Sequence, residues 1–176
     1  MTDKPRILIF TGDGKGKTTA AMGMVLRASS HGMRIKVVQF LKSDTGSGEV
    51  AALQNLPGVE FVRRGIGFVP KRRDDPQFAE HRRIAGEGWE LAREAILSGN
   101  YDLVVMDEIC GAIAAGLLEE TDVTDLLKHA PAGLRLALTG RHATADLIEM
   151  ADTVTEMCCV KHGLRQGRTA QKGVEF

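Results

Sequence analysis

The chain has 176 residues, 43% of them apolar and 20 of them glycine, a composition that can bury a sizeable core within the usual size of one domain. Lys plus Arg number 23 and Asp plus Glu number 23, so no overall field exists to draw in a nucleic acid or an anionic membrane. The longest uncharged apolar stretch runs only from Ile109 to Leu118, short of the ~18–20 residues that cross a bilayer, and the run Ile7 to Phe10 is too short for a signal peptide; a cytoplasmic location is expected.

In chain order, a strand at 6–11 leads into a glycine-rich turn, and an Ala-, Met- and Leu-rich helix follows at 18–30, closed by His31-Gly32. A strand is expected at 35–40, then a small polar segment at 42–48 that fits no regular element. The next strand, at 59–62, runs into a Gly-, Pro- and charge-bearing segment at 63–76. A helix at 78–97 carries Ile84, Trp89, Leu91, Ala92, Ala95 and Ile96 at helical spacing and stops at Ser98-Gly99-Asn100. Strands at 103–106 and 134–139, a helix at 143–151 and a strand at 154–160 complete the pattern. This alternation predicts the α/β class, with a mostly parallel sheet covered by helices on both faces, and residues 1–176 read as one domain without repeat or linker. Trp89 reads as core. Cys110, Cys158 and Cys159 form neither a disulfide framework nor a zinc spacing and are expected to be buried thiols. Residues 61–83 carry a local excess of four positive charges, read equally as a solvated face or a loop meeting an anion.

The chemistry concentrates after the first strand, in Gly12-Asp13-Gly14-Lys15-Gly16-Lys17-Thr18-Thr19. Glycines let successive N–H groups turn inward on phosphate oxygens, and the opening helix adds its partial positive charge. Lys17 would neutralise phosphate, and the Thr18 hydroxyl would ligate a divalent metal. The strict phosphate-loop pattern places a glycine where this chain has Thr11, so the loop is one residue short when counted from Gly12. The strand Leu103 to Met106 ends in Asp107-Glu108, two carboxylates suited either to a metal or to capping the next helix. Thr139-Gly140-Arg141 closes another strand in the same way, and Arg141 is a phosphate candidate.

Taken together, GDGKGKTTAA at 12–21, VVQFLK at 37–42, MDEI at 106–109, TGR at 139–141, ADTVTEM at 151–157 and VKHG with AQKGVEF at 160–176 resemble the ATP:corrinoid adenosyltransferases acting on cob(I)alamin or cob(I)yrinic acid a,c-diamide. In that family the short glycine loop is the normal form. The resemblance implies a RecA-like P-loop NTPase fold, usually dimeric, that transfers the 5′-deoxyadenosyl group of ATP to cobalt(I) and releases triphosphate in adenosylcobalamin biosynthesis or salvage. Gly12, Asp13, Gly14, Lys15, Gly16, Lys17, Thr18 and Thr19 would hold the nucleotide, Thr18 and Glu108 a Mg²⁺ or Mn²⁺ ion, and Lys17 and Arg141 the departing charge. Arg27 is a further nucleotide contact or else a solvated helix residue. A flavoprotein reductase would supply electrons.

The family's corrinoid loop carries a phenylalanine and, two residues on, a tryptophan, a pair understood to displace the corrinoid's lower axial ligand. Here Phe68 is kept and Pro70 stands in the tryptophan position. Cys110-Gly111 after MDEI are smaller and less polar than the family's usual residues, and only five residues precede the first strand, which implies a more open site. His31 and His162 read as structural or substrate-contact residues and not cobalt ligands. The alternatives are a RecA-like ATPase or kinase acting on the γ-phosphate, and an inactive corrinoid- or nucleotide-binding protein.

Overall fold

The computed structural model describes residues 4–43 and 48–174. In order these form β1 (Arg6–Thr11), α1 (Lys17–Ser30), β2 (Ile35–Phe40), α2 (Gly48–Gln54), β3 (Val59–Arg64) and α3 (Pro76–Leu97). There follow β4 (Leu103–Asp107), α4 (Ile109–Ala114), α5 (Glu120–Lys128), β5 (Arg135–Thr139), α6 (Ala145–Met150), β6 (Thr153–Glu156) and a 3-10 turn, Gly163–Gln166. The six strands make one sheet in the order β3-β2-β4-β5-β1-β6, and every pair in it is parallel. One strand, β5, separates the glycine-loop strand β1 from the acid-tipped strand β4, which fits the RecA-like fold that the resemblance implies.

The pleat divides the core. Leu103 and Val105 of β4 point to the layer under α1, where Ala21, Met22, Val25 and Ala28 recur at helical spacing. Val104 and Met106, one residue out of phase, point to the layer under α3, against Trp89, Ala92 and Ile96. Both faces of β4 are therefore covered, which is why it reads as a continuous apolar run. Helix α3 begins where Asp75 accepts a hydrogen bond from the Gln77 N–H and Pro76 presets the first turn.

The structure departs from the sequence reading in several places. Helices α2, α4 and α5 were not anticipated: α2 and α4 are short, and α5 shows its apolar face only at Val123, Leu126 and Leu127. Residues 44–47 of the expected 42–48 loop lie outside the described residues. β6 ends at Glu156 and not at Val160, because its ladder partner β1 stops at Thr11, after which the Gly14 N–H donates to the Met157 carbonyl at 2.6 Å. Of the cysteines only Cys110 is buried, its thiol pushed up to about 12 chiefly by desolvation; Cys158 is exposed and Cys159 partly so, since both follow the sheet edge. The basic excess in 61–83 is partly met by two acids outside the segment, Glu119 against Arg82 and Glu87 against Arg64 and Arg83, while Arg72 pairs with Asp74 inside it, so the solvated-face reading describes part of the segment.

Two glycines of α3 test the packing. A Cβ at Gly88 would come within 2.9 Å of Phe40 and of Arg64, whereas one at Gly86 meets nothing within 4 Å. Gly88→Ala is expected to destabilise the fold by about 1–3 kcal/mol through overpacking, and Gly86→Ala to stabilise it by about 0.5–1 kcal/mol through chain entropy. Urea unfolding of the two variants checks this; equal effects would contradict the close approach of α3 to the sheet.

Candidate active site

The strand ends of β1, β2, β4 and β5 open on one side into a cleft of about 640 Å³ lined by residues 13–19, Lys42, Glu108, Arg141 and His162. The glycine loop is shaped by what crosses it. A Cβ at Gly12 or Gly14 would lie 2.6 Å from the Met157 carbonyl oxygen, so the chain leaving β6 fits only against glycine. Gly16, at φ 116, then turns the chain into α1 in a conformation that other residues rarely adopt. Thr11, which replaces the first glycine of the strict pattern, completes β1 and is buried; its hydroxyl accepts a hydrogen bond from the Ala143 N–H at 3.3 Å.

Lys17 is buried, and its ammonium donates to the Gly12 and Gly14 carbonyls at 2.7 and 2.8 Å, so its charge stands inside the loop. Desolvation lowers its pKa, and the Glu108 carboxylate opposes that shift. Arg141 reaches the same mouth, its Nε 3.7 Å from an Asp13 carboxylate oxygen. Asp13, Lys15 and Thr19 are exposed at the rim. Arg27, in the last turn of α1, is exposed and does not line the cleft. Phe68 also stands apart from the cleft lining, with its side chain wholly in solvent. His31 closes α1, and His162 accepts from the Leu164 N–H at 3.2 Å while bordering the cleft. Trp89 is core, as its spacing predicts.

The two carboxylates at the end of β4 differ. Asp107 has no exposure and accepts from Thr139 Oγ1 at 2.6 Å and from Gln39 Nε2 at 2.7 Å. Glu108 occupies the position before α4 at φ 66 without capping the helix through its side chain, and it faces the cleft. Burial, then the Asp107 charge, raises its pKa, against Lys42, Lys17 and Arg141. Thr18 and Glu108 offer only hard oxygen donors, which suit Mg²⁺ or Mn²⁺, with nucleotide phosphates supplying the rest. No group of three His, Cys, Asp or Glu side chains among the described residues forms a metal cage by itself.

Sequence reasoning missed Lys42, whose ammonium donates to the Thr18 hydroxyl at 3.0 Å and lies 3.7 Å from Asp107. It also missed the roles of Gln39 and Thr139. A polar Gln39 within the otherwise apolar stretch of β2 was the available signal. A larger cavity, about 710 Å³ between α3 and α4, brings Arg82 beside Glu119 and Thr144 beside Glu120, pairs that satisfy each other.

Because the folded chain binds the Glu108 proton more tightly than the unfolded chain, this residue's contribution to stability is full at acid pH and is lost as pH rises through its raised pKa. Glu108→Gln is therefore expected to be more stable than the parent at neutral pH in the absence of ligand, with the gap narrowing on acidification. Urea unfolding at two pH values measures it; a variant less stable than the parent at neutral pH contradicts the burial argument.

Residues 3–176 match the sequence profile described as ATP:corrinoid adenosyltransferase BtuR/CobO/CobP. A corrinoid adenosyltransferase of Pseudomonas aeruginosa is 40% identical over 97% of this chain and 83% of its own length. One from Sinorhizobium sp. is 40% identical over 99% and 81%, and one from Escherichia coli K12 is 37% identical over 97% and 85%. With the phosphate loop, the acid-tipped strand and the strand order all in place across the matched length, the chain belongs to the ATP:corrinoid adenosyltransferase family.

Proposed function

We propose that this enzyme joins the 5′-carbon of ATP to the cobalt(I) of a corrinoid and releases triphosphate. The cobalt(I) electron pair forms the Co–C bond, the C5′–O bond breaks, and its electrons leave on the triphosphate. No proton moves, so no base is required. The observation that best supports this reading is the convergence of Lys17 and Arg141 on one cleft at the glycine loop, two cations where a departing polyphosphate needs charge. Thr18 and Glu108 would hold a Mg²⁺ or Mn²⁺ ion that neutralises phosphate charge when bound. The loop's N–H groups other than that of Gly14, together with Lys17, would hold the phosphates and so set C5′ in line with the corrinoid. A flavoprotein reductase delivering the electron and a second copy of the chain are the expected partners.

Incubation with ATP and chemically reduced corrinoid under anoxia should yield adenosylcorrinoid and triphosphate in equal amounts. ADP and phosphate instead would assign the site to γ-phosphate chemistry. Lys17→Ala should weaken ATP binding by about tenfold or more, since a charge-assisted phosphate contact is lost; undiminished affinity in calorimetry removes Lys17 from the site.

Pro70 in the loop after β3 supports a preference for precursor corrinoids. Phe68 is fully exposed and Val69 anchors the loop on the core, but half of the aromatic pair that displaces the lower ligand is absent. A corrinoid lacking the nucleotide loop has no internal base to displace. Pro70→Trp is expected to raise the cobalt(II)-dependent rate with cobalamin and to leave the cobalt(I) rate unchanged, measured with flavoprotein and chemical reductants in turn. Equal cobalt(II) rates for parent and variant, with Phe68→Ala also silent, would remove this loop from control of the axial ligand.

A further inference from the structure

The side chain of Lys42 occupies an unexpected place. Its ammonium donates to the Thr18 hydroxyl at 3.0 Å and stands 3.7 Å from the Asp107 carboxylate, in the cleft that Glu108 also lines and beside the metal position proposed for Thr18 and Glu108. We infer that Lys42 is the resident counter-cation of that position, holding Thr18 and Asp107 in the nucleotide-free protein, so that a divalent ion enters only together with nucleotide phosphates.

The backbone is bent to deliver it there. Leu41, directly after β2, has φ 64, and the Lys42 N–H donates back to the Phe40 carbonyl at 2.7 Å, closing a turn of the rare positive-φ kind. A branched residue holds this conformation only where its surroundings over-determine it. They do so here: the Leu41 carbonyl accepts from the Gly67 N–H at 2.9 Å, and a Cβ on Gly65 would lie 2.4 Å from the Leu41 carbonyl carbon. The Lys42 side chain is 37% exposed, which leaves it a path out of the position when another cation arrives. An ammonium and a divalent ion repel at this range, so the two exclude each other. The arriving phosphates give Lys42 a second partner, and metal and nucleotide then bind cooperatively. Lys42 is thus a positioning residue that acts through Thr18 and Asp107.

This inference rests on the assignment of Thr18 and Glu108 to the metal, which ATP-dependent Mn²⁺ binding by the parent tests separately. The test is Mn²⁺ affinity of the full chain, read by electron paramagnetic resonance with and without ATP, for the parent, Lys42→Met, Lys42→Gln and Lys42→Arg. Without ATP, the two neutral variants should bind Mn²⁺ about tenfold or more tighter than the parent, and Lys42→Arg should resemble the parent. With ATP, the gap between the parent and the neutral variants should narrow. The neutral pair differ in polarity, so loss of folding in one, seen by circular dichroism, leaves the other as the test. Unchanged nucleotide-free affinity in a folded neutral variant, or an equal gain in Lys42→Arg, overturns the inference.

Discussion

The structure turns on one buried charge. Asp107, at the end of β4, has no contact with solvent, and a buried carboxylate is tolerable only when its oxygens are fully engaged. Its partners come from the strands on either side, Gln39 from β2 and Thr139 from β5. Gln39 in turn accepts from Arg63 Nε of β3 at 2.7 Å, and Thr139 Oγ1 accepts the Glu108 N–H at 2.9 Å. The chain of hydrogen bonds thus crosses four neighbouring strands at their carboxyl ends, and the ion pair of Asp107 with Lys42, which donates to the Thr18 hydroxyl, carries it on to the first turn of α1. Such a network has discrete geometry, and that geometry aligns the edge on which the cleft is built.

The same edge gathers the strained backbone. Among the described residues, the positive-φ residues other than glycine are Leu41, Glu108 and His142, and they follow β2, β4 and β5 respectively. Each lies at or beside a residue that lines the cleft: Leu41 precedes Lys42, Glu108 lines it directly, and His142 follows Arg141. Strain of this kind is held by the rigid sheet beneath it, where apolar strands are buried on both faces. The far side of the glycine loop is fixed differently, by the backbone of Met157 passing within reach of Gly12 and Gly14. The short loop therefore has a physical counterpart: Thr11 is needed as the last residue of β1, and the crossing chain occupies the space that side chains on Gly12 or Gly14 would fill.

Much of this was legible in the sequence. The boundaries of β1 and β2 follow directly from apolar runs ended by glycine or a polar turn, and α3 from its helical spacing and Ser98-Gly99 stop. The placement of Lys17, Thr18, Glu108 and Arg141 around one cleft follows from strand-end motifs in an α/β fold. What escaped were α2, α4 and α5, too short or too weakly patterned to show a period, and Lys42, whose lysine looks like any solvated residue at a strand end.

By itself, the sequence determined the α/β class, the phosphate loop, the acid-tipped strand and, through motifs spread along the chain, the family. These depend on local spacing, which a linear chain carries. Only the tertiary structure decided that Asp107 is sealed while Glu108 faces the cleft, that Gln39 and Thr139 serve Asp107, and that Lys42 stands against Thr18. Those relations join residues on neighbouring parallel strands, such as Gln39 with Asp107 and Asp107 with Thr139, far apart in the chain. A parallel sheet brings such residues together only after its crossovers have formed, so no local pattern records the contact.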